Sequence, residues 1–243
     1  MSRRIIIGMA AYNERHRIEP VIEELRCYQD AYDYDVVVGD DGSTDGTYEL
    51  LKKKSDDYGW GIIRKDRNMG VGSMIRSLIY YGRNNQYEVF MIVSANGKTD
   101  IENLPRLFTP VLSGEYDYVK GSRYMKGGKM VNMPRFRLFA IPVFSAFVSV
   151  MMRKHLTDVT YLVNASKLSI YNDPDINLGQ EWLERYGMEY YILYYVLRKY
   201  RIKEVPMTVR YPSDGQGYTK IKPITGWWDM IKPWLLLILR IRR

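Results

Sequence analysis

Apolar and polar positions alternate in blocks along the first hundred residues, and the period within each block changes in a regular order. "RIIIGMA" at 4–10 is a continuous apolar run closing on small residues, the pattern of a strand buried on both faces. Ile18, Val21, Ile22 and Leu25 follow at the spacing of one helix face. "DVVVGDDGSTDGT" repeats the buried strand and runs out into acids, glycines and hydroxyls before a short helix predicted over 48–54. "GIIRKDRNMGVG" gives a third strand, and Val71, Met74, Ile75, Leu78 and Ile79 give the next helical stripe. "YEVFMIVSA" is the fourth strand. This alternation predicts an α/β protein with a Rossmann-like, mostly parallel central sheet and helices on both faces.

The second half is less regular. "DYVKGSRY" reads as a strand with a polar exit, and "MPRFRLFAIPVFSAFVSVMMRK" as an apolar helix with basic ends that Pro142 is expected to interrupt. "GMEYYILYYVLRKY" is a further helix, and "RIKEVPMTVRYP" has a strand pattern. There is no internal repeat and no low-complexity segment.

A parallel sheet brings the loops after its strands to one edge, where ligands bind in open α/β folds. Three polar clusters meet that description: "AAYNE", "GDDGSTDGT" and "SANGKTD". Their convergence is a stronger signal than any one of them. The glycines of "RNMGVGS" fit a phosphate at a helix start and close helix packing equally well.

Composition narrows the setting. With 46% hydrophobic and 26% charged residues among 243, the chain is a folded protein of one sizeable α/β domain or two small ones. A lone cysteine, Cys27, excludes an internal disulfide framework and fits a reducing compartment. The N-terminal apolar run is too short for a signal peptide. The charge-free stretch 138–152 is shorter than a comfortable bilayer span. The expected location is cytoplasmic, peripheral at the inner face of the membrane. Net charge is +8, with six basic residues against Asp229 alone in 219–243. The expected division is a catalytic domain over 1–212 and a basic, Trp-rich segment over 213–243. Such a tail suits an anionic membrane surface or phosphorylated substrates, or is a solvated basic face; nucleic acid is not an expected partner. His16 and His155 stand apart, without metal-ligand spacing.

In this order, "AAYNE", "DDGSTDGT", "RNMGVG", "GSRY" and "EVPMTVRYP" resemble family 2 glycosyltransferases of the GT-A fold, and within them the polyprenyl- and dolichyl-phosphate sugar transferases. The resemblance covers roughly residues 4–220. It implies inverting transfer of a sugar from a UDP- or GDP-sugar to a polyprenyl phosphate. The alternatives are a soluble sugar or natural-product hydroxyl as acceptor, or an inactive nucleotide-binding relative. Carried onto this chain, Ala10, Tyr12 and Glu14 belong to the nucleotide site, and Asp41 is the carboxylate that reads the base or its ribose. Ser94, Ala95 and Asn96 occupy the family's Asp-x-Asp element, which lines nucleotide and sugar. Arg123 and Arg137 match basic residues near the donor diphosphate and acceptor phosphate, with Arg135 equally placed for the second role. A solvated helix end is the other reading of Arg135 and Arg137. Arg210 and Lys220 resemble the basic residues of a late loop that closes over the phosphates. Asp158 resembles an acceptor-side aspartate, although its neighbour Tyr161 replaces the family's small residues. Glu189 is the candidate general base for a hydroxyl acceptor, or else a first-turn glutamate favoured by the helix dipole.

The departure from the family lies at 94–98. Its Asp-x-Asp holds a divalent cation against the diphosphate, but here Ser94 and Asn96 stand in place of the acids, and Lys98 fills a further ligand position. An amide oxygen is a poor sole anchor for Mg or Mn, whereas a lysine can itself face a diphosphate. The expectation is no metal ligand and transfer independent of, or weakly dependent on, a cation. The alternative is Mg or Mn held in part by the substrate and Asp100. For residues 138–152 and the tail with Trp227, Trp228 and Trp234, the expectation is contact with the membrane interface. Core or homo-oligomer contacts are the alternative.

Overall fold

A computed structural model of the chain describes residues 4–211, 225–239 and 241. The elements are β1 (Ile5–Ala11), α1 (Ile18–Tyr32), β2 (Tyr34–Asp40), α2 (Thr47–Tyr58), β3 (Gly61–Arg64), α3 (Val71–Asn84), β4 (Val89–Ser94) and α4 (Pro105–Leu112). They continue with β5 (Tyr118–Ser122), β6 (Lys129–Val131), α5 (Arg135–Met152), β7 (Asn164–Lys167), α6 (Gly187–Lys199), β8 (Ile202–Pro206), β9 (Thr208–Arg210) and α7 (Thr225–Ile238). The central sheet runs β3-β2-β1-β4-β7-β5-β8, with β7 alone antiparallel to its neighbours. Alternate side chains of β1 enter opposite cores, as strand geometry requires. Ile5, Ile7 and Met9 pack with Ile22 and Leu25 of α1, while Ile6 joins Leu78 of α3 and Val196 of α6. The predicted α/β architecture, mostly parallel and covered on both faces, is the one observed.

Three expectations change. The helix predicted over 48–54 extends to Thr47–Tyr58, stopping at Gly59 in the left-handed region (φ 68°). "RIKEVPMTVRYP" forms two strands in different sheets: β8 beside β5, and β9 beside β6 in a small parallel pair. Pro206 closes β8, and the buried Met207 spans the two sheets, its N–H donating to the Ser122 carbonyl at 2.9 Å and its carbonyl accepting the Lys129 N–H at 3.2 Å. Finally, α5 runs unbroken through Pro142. The missing Pro142 N–H would leave the Leu138 carbonyl open. The Tyr124 hydroxyl reaches that carbonyl at 3.4 Å while donating to the Arg137 carbonyl at 2.9 Å.

With its basic end included, α5 is long and apolar enough, by length and composition alone, to cross a membrane. One face nevertheless packs inward through Ile141, Phe144, Ser145 and Val148. The other exposes Phe136, Phe139, Val143, Phe147 and Val150 along one stripe. In α7, Trp234 is fully buried against Tyr190 and Tyr194 of α6, so this tryptophan is core rather than interface; Trp228 is exposed.

The glycines of "MGVGS" are explained by packing. A Cβ on Gly72 would lie 1.9 Å from the Leu183 carbonyl oxygen and 2.8 Å from that of Arg185. We expect Gly72→Ala to destabilise the fold by about 1–3 kcal/mol, the cost of overpacking. A denaturant titration with an unchanged midpoint would contradict this.

Candidate active site

The loops after β1 and β2 are laced together before any ligand is considered. Asn13 N–H donates to Ser43 Oγ at 2.9 Å, Glu14 N–H to Thr47 Oγ1 at 2.9 Å, and Thr44 N–H to Asn13 Oδ1 at 2.9 Å. Gly42, with φ 75°, lies so close to the backbone of Arg67 that a Cβ would sit 2.5 Å from its carbonyl carbon. Asp40 is buried and accepts the Ser43 N–H at 3.1 Å. Asp41 spends both carboxylate oxygens on the N–H groups of Met69 (3.0 Å) and Gly70 (2.8 Å). Burial raises the Asp41 carboxyl above its ordinary value, and those two N–H groups oppose the rise. In this state Asp41 shapes the pocket by holding the 69–70 turn.

These loops form one wall of a cleft of about 600 Å³. Of the residues expected from sequence, Ala10, Tyr12, Glu14, Asp41, Ser94, Asn96, Lys98, Arg123 and Arg137 line it. Five basic side chains face it among the described residues, Arg17, Lys98, Arg123, Arg137 and Arg185, against two acids, Glu14 and Asp41. Arg17 and Arg185 escaped the sequence reading. Arg17 precedes α1, where it pairs with Glu14 at 3.5 Å. Arg185 arrives because the 184–185 carbonyls accept the N–H groups of Gly72 and Ser73, the second and third residues of α3, each at 3.0 Å. Those two N–H groups are therefore taken by protein, while Gly70 and Val71 line the cleft.

Other expected residues lie elsewhere. Ala95 is buried in the core. Arg135 is exposed and does not line the cleft, so of the two candidates at the head of α5 only Arg137 does. Arg210 is largely exposed and pairs with Asp100 at 3.1 Å. Lys220 lies outside the described residues.

Asp158, expected on the acceptor side, is not among the residues that line the cleft. It is fully buried and grips Arg123 through Oδ2 to Nε (2.6 Å) and Oδ1 to Nη2 (2.9 Å). Burial alone would raise the Asp158 carboxyl; the guanidinium outweighs it and holds the carboxyl below its ordinary range. Its segment is fixed from β8, where Glu204 accepts the N–H groups of Thr157 (2.7 Å) and Asp158 (3.1 Å). Glu189 also stays outside the cleft lining, in the first turn of α6. Burial pushes its carboxyl up to about 8, with only the buried Lys120 ammonium opposing. The cleft lining does not include the expected base.

Tyr211 is the residue that organises the cations, and its role was not read from "TVRYP". Arg123 and Arg137 donate to its hydroxyl at 3.3 and 3.4 Å, and the Lys98 ammonium stands 4.8 Å from its ring centroid. Burial, then the neighbouring Arg137, brings Lys98 down to about 8, while Glu14 opposes. Around 94–100 the oxygen donors are a hydroxyl, Ser94, and an amide, Asn96, whose Oδ1 already accepts the Lys98 N–H at 3.2 Å. Asp100 is committed to Arg210. No cluster of three His, Cys, Asp or Glu side chains suited to a metal occurs among the described residues. The donor set therefore does not fit a divalent cation.

A second hollow, of about 680 Å³, lies at the opposite edge of the sheet, and two of its cations are already paired, Arg4 with Glu88 and Lys167 with Asp117.

A family model described as "Glycosyl transferase family 2" matches residues 6–175. The chain is 30% identical over 134 residues to a dolichol-phosphate mannosyltransferase of Pyrococcus furiosus, covering 55% of this chain but only 37% of that protein. It is 29% identical to an undecaprenyl-phosphate mannosyltransferase of Micrococcus luteus over 84% of this chain and 83% of the relative. In fold it is similar to glucosyl-3-phosphoglycerate synthase of Mycobacterium tuberculosis, with a TM-score of 0.67, 18% identity, and coverage of 98% and 79% of the two chains.

Two tests follow from the buried charges. Asp158→Asn leaves Arg123 without its countercharge and should destabilise the fold by about 3–5 kcal/mol, read by denaturant unfolding. Glu189 keeps its proton in the folded state up to about pH 8, whereas the unfolded chain releases it near the ordinary 4.5. Between those values the unfolded state binds fewer protons, so stability falls as pH rises, by up to about 1.4 kcal/mol per pH unit. Glu189→Gln should flatten that slope; melting curves from pH 5 to 8 that fall equally in both proteins would refute it.

Proposed function

Because the chain belongs to glycosyl transferase family 2, we propose that it moves a sugar from a UDP- or GDP-sugar to a polyprenyl phosphate, with inversion at the anomeric carbon. The similarity to polyprenyl-phosphate mannosyltransferases points to that acceptor class. The observation that carries the reading is the cation cluster at the head of α5. Arg137 sits in the cleft beside Tyr211, and the helix it begins turns an apolar stripe outward through Phe139, Val143, Phe147 and Val150. An acceptor with an anionic head and a long hydrocarbon tail matches that sequence of surfaces. The same stripe lays the protein on the membrane that holds the acceptor.

In the proposed reaction an acceptor phosphate oxygen attacks the anomeric carbon as its bond to the donor diphosphate oxygen breaks. The nucleoside diphosphate leaves with the bonding electrons, and direct displacement inverts the centre. An ionised phosphate oxygen needs no deprotonation. This agrees with a cleft whose two carboxylates, among the described residues, are engaged: Glu14 beside Arg17 and Asp41 on the 69–70 turn. A hydroxyl acceptor would call for a base there, and Glu189 is not among the residues that line the cleft.

The test is to incubate the protein with UDP-glucose, UDP-N-acetylglucosamine or GDP-mannose and undecaprenyl or dolichyl phosphate. Nucleoside diphosphate release should match formation of a lipid-linked sugar. Arg137→Ala should lower transfer by roughly ten- to a hundred-fold, the loss of one charge-assisted contact. Transfer to soluble sugar hydroxyls at equal rate without lipid phosphate would establish the soluble-acceptor reading instead.

A further inference from the structure

The residues that depart from a metal-binding set do not simply lack carboxylates; they are used to fix one lysine. Lys98 follows Gly97, which takes the left-handed region at φ 69°. Its N–H is received by Asn96 Oδ1 at 3.2 Å, and its carbonyl accepts the Arg210 N–H at 3.1 Å. Arg210 is held in turn by Asp100, at 3.1 and 3.2 Å. The next residue, Thr99, is bridged to Val209 and hydrogen-bonded to the Tyr161 hydroxyl at 3.0 Å. Asn96 and Asp100, the oxygen-bearing side chains nearest to a metal-ligand pattern, are thus both spent on the backbone that carries Lys98. The Lys98 ammonium projects over Tyr211 into the cleft, where three guanidiniums (Arg137, Arg17 and Arg123) and one carboxylate (Glu14) act on it.

That field is positive, and Asp158 neutralises only Arg123 within it. Gathering cations at one point is unfavourable until an anion arrives, so the arrangement is preorganised for phosphate. A divalent ion would enter against the same charges, and the carboxylates that line the cleft are already engaged, Glu14 beside Arg17 and Asp41 on the Met69 and Gly70 N–H groups.

On the reading that the cleft takes a nucleotide-diphosphate sugar, we infer that Lys98 replaces the divalent cation. Its ammonium faces the donor diphosphate and receives the charge that grows there as the sugar leaves. Donor binding then needs no metal. A charge-assisted contact to phosphate corresponds to about ten- to a hundred-fold in affinity.

Calorimetry with UDP and GDP in excess EDTA tests this directly. At least one nucleotide should bind, with an affinity that added Mg²⁺ or Mn²⁺ changes by less than about threefold, well below the contribution of one charged contact. Lys98→Met should weaken binding by about ten- to a hundred-fold with an unchanged melting temperature, and Lys98→Arg should recover most of the loss. The triple change Ser94→Asp, Asn96→Asp and Lys98→Gln should bind only when Mg²⁺ or Mn²⁺ is present. If the natural protein loses the nucleotide in EDTA and regains it with Mn²⁺, the inference is overturned while the donor site stands. Equal affinity in Lys98→Met overturns it as well. Binding of neither nucleotide, with or without metal, overturns the donor reading and the inference with it.

Discussion

The buried pair of Arg123 and Asp158 is the contact on which the cation-lined side of the cleft rests. Arg123 leaves the end of β5, and Asp158 lies on the crossing that leads into the antiparallel β7. Their bidentate contact therefore joins two segments far apart in the chain, and Glu204 on β8 fixes the second of them. An ion pair taken out of water is stable only when its remaining hydrogen-bonding positions are filled. Here Thr160 and Tyr211 accept two more of the guanidinium N–H groups. The same requirement explains Glu189. Lys120 is buried nearby, but Asp158 and Glu204 already act on it, so the Glu189 carboxyl gains too little to ionise and keeps its proton.

On the wall formed by the loops after β1 and β2 the constraint is the backbone. Loops after β1 and β2 exchange hydrogen bonds through Asn13, Ser43 and Thr47, and Asp41 extends the lacing to the turn before α3. That turn is pressed against the 183–185 segment by glycines that admit no side chain. Most of the "DDGSTDGT" motif is thus structural brace, and the pocket is what the brace leaves open.

This division decides what could be read from the chain alone. Parallel strands buried on both faces announce themselves as apolar runs, so β1 to β4 and the loops after them were legible, and with them Tyr12, Glu14, Ser94, Asn96 and Lys98. β7 reads "NASK", four residues with no hydrophobic pattern, and only its neighbours make it a strand. Arg135 and Arg137 differ by two positions on a helix, and which of them faces the cleft depends on how α5 is rotated by the packing of Ile141 and Val148. Tyr211 carried no signal, because its role is to be the point where three cations from distant segments meet. Asp158 was found as a polar residue of consequence, but only tertiary structure shows its oxygens turned to Arg123 rather than to the cleft.

The proposed transfer brings two anionic groups, the donor diphosphate and the acceptor phosphate, to bonding distance. Two unit charges 4 Å apart at an effective dielectric near 20 repel by about 4 kcal/mol, and a diphosphate carries more than one. A metal bound to the donor answers half of that problem. A fixed cluster that includes both Lys98 and Arg137, arranged around Tyr211, can face both groups at once. Its cost is mutual repulsion among the cations, which adds to burial, the larger cause, in making Lys98 hold its proton less firmly than an ordinary lysine. Anchoring at Asn96 and Arg210 fixes the backbone from which the ammonium reaches over Tyr211. The mutual repulsion of these cations and the proposed affinity for phosphate are then the same electrostatic fact.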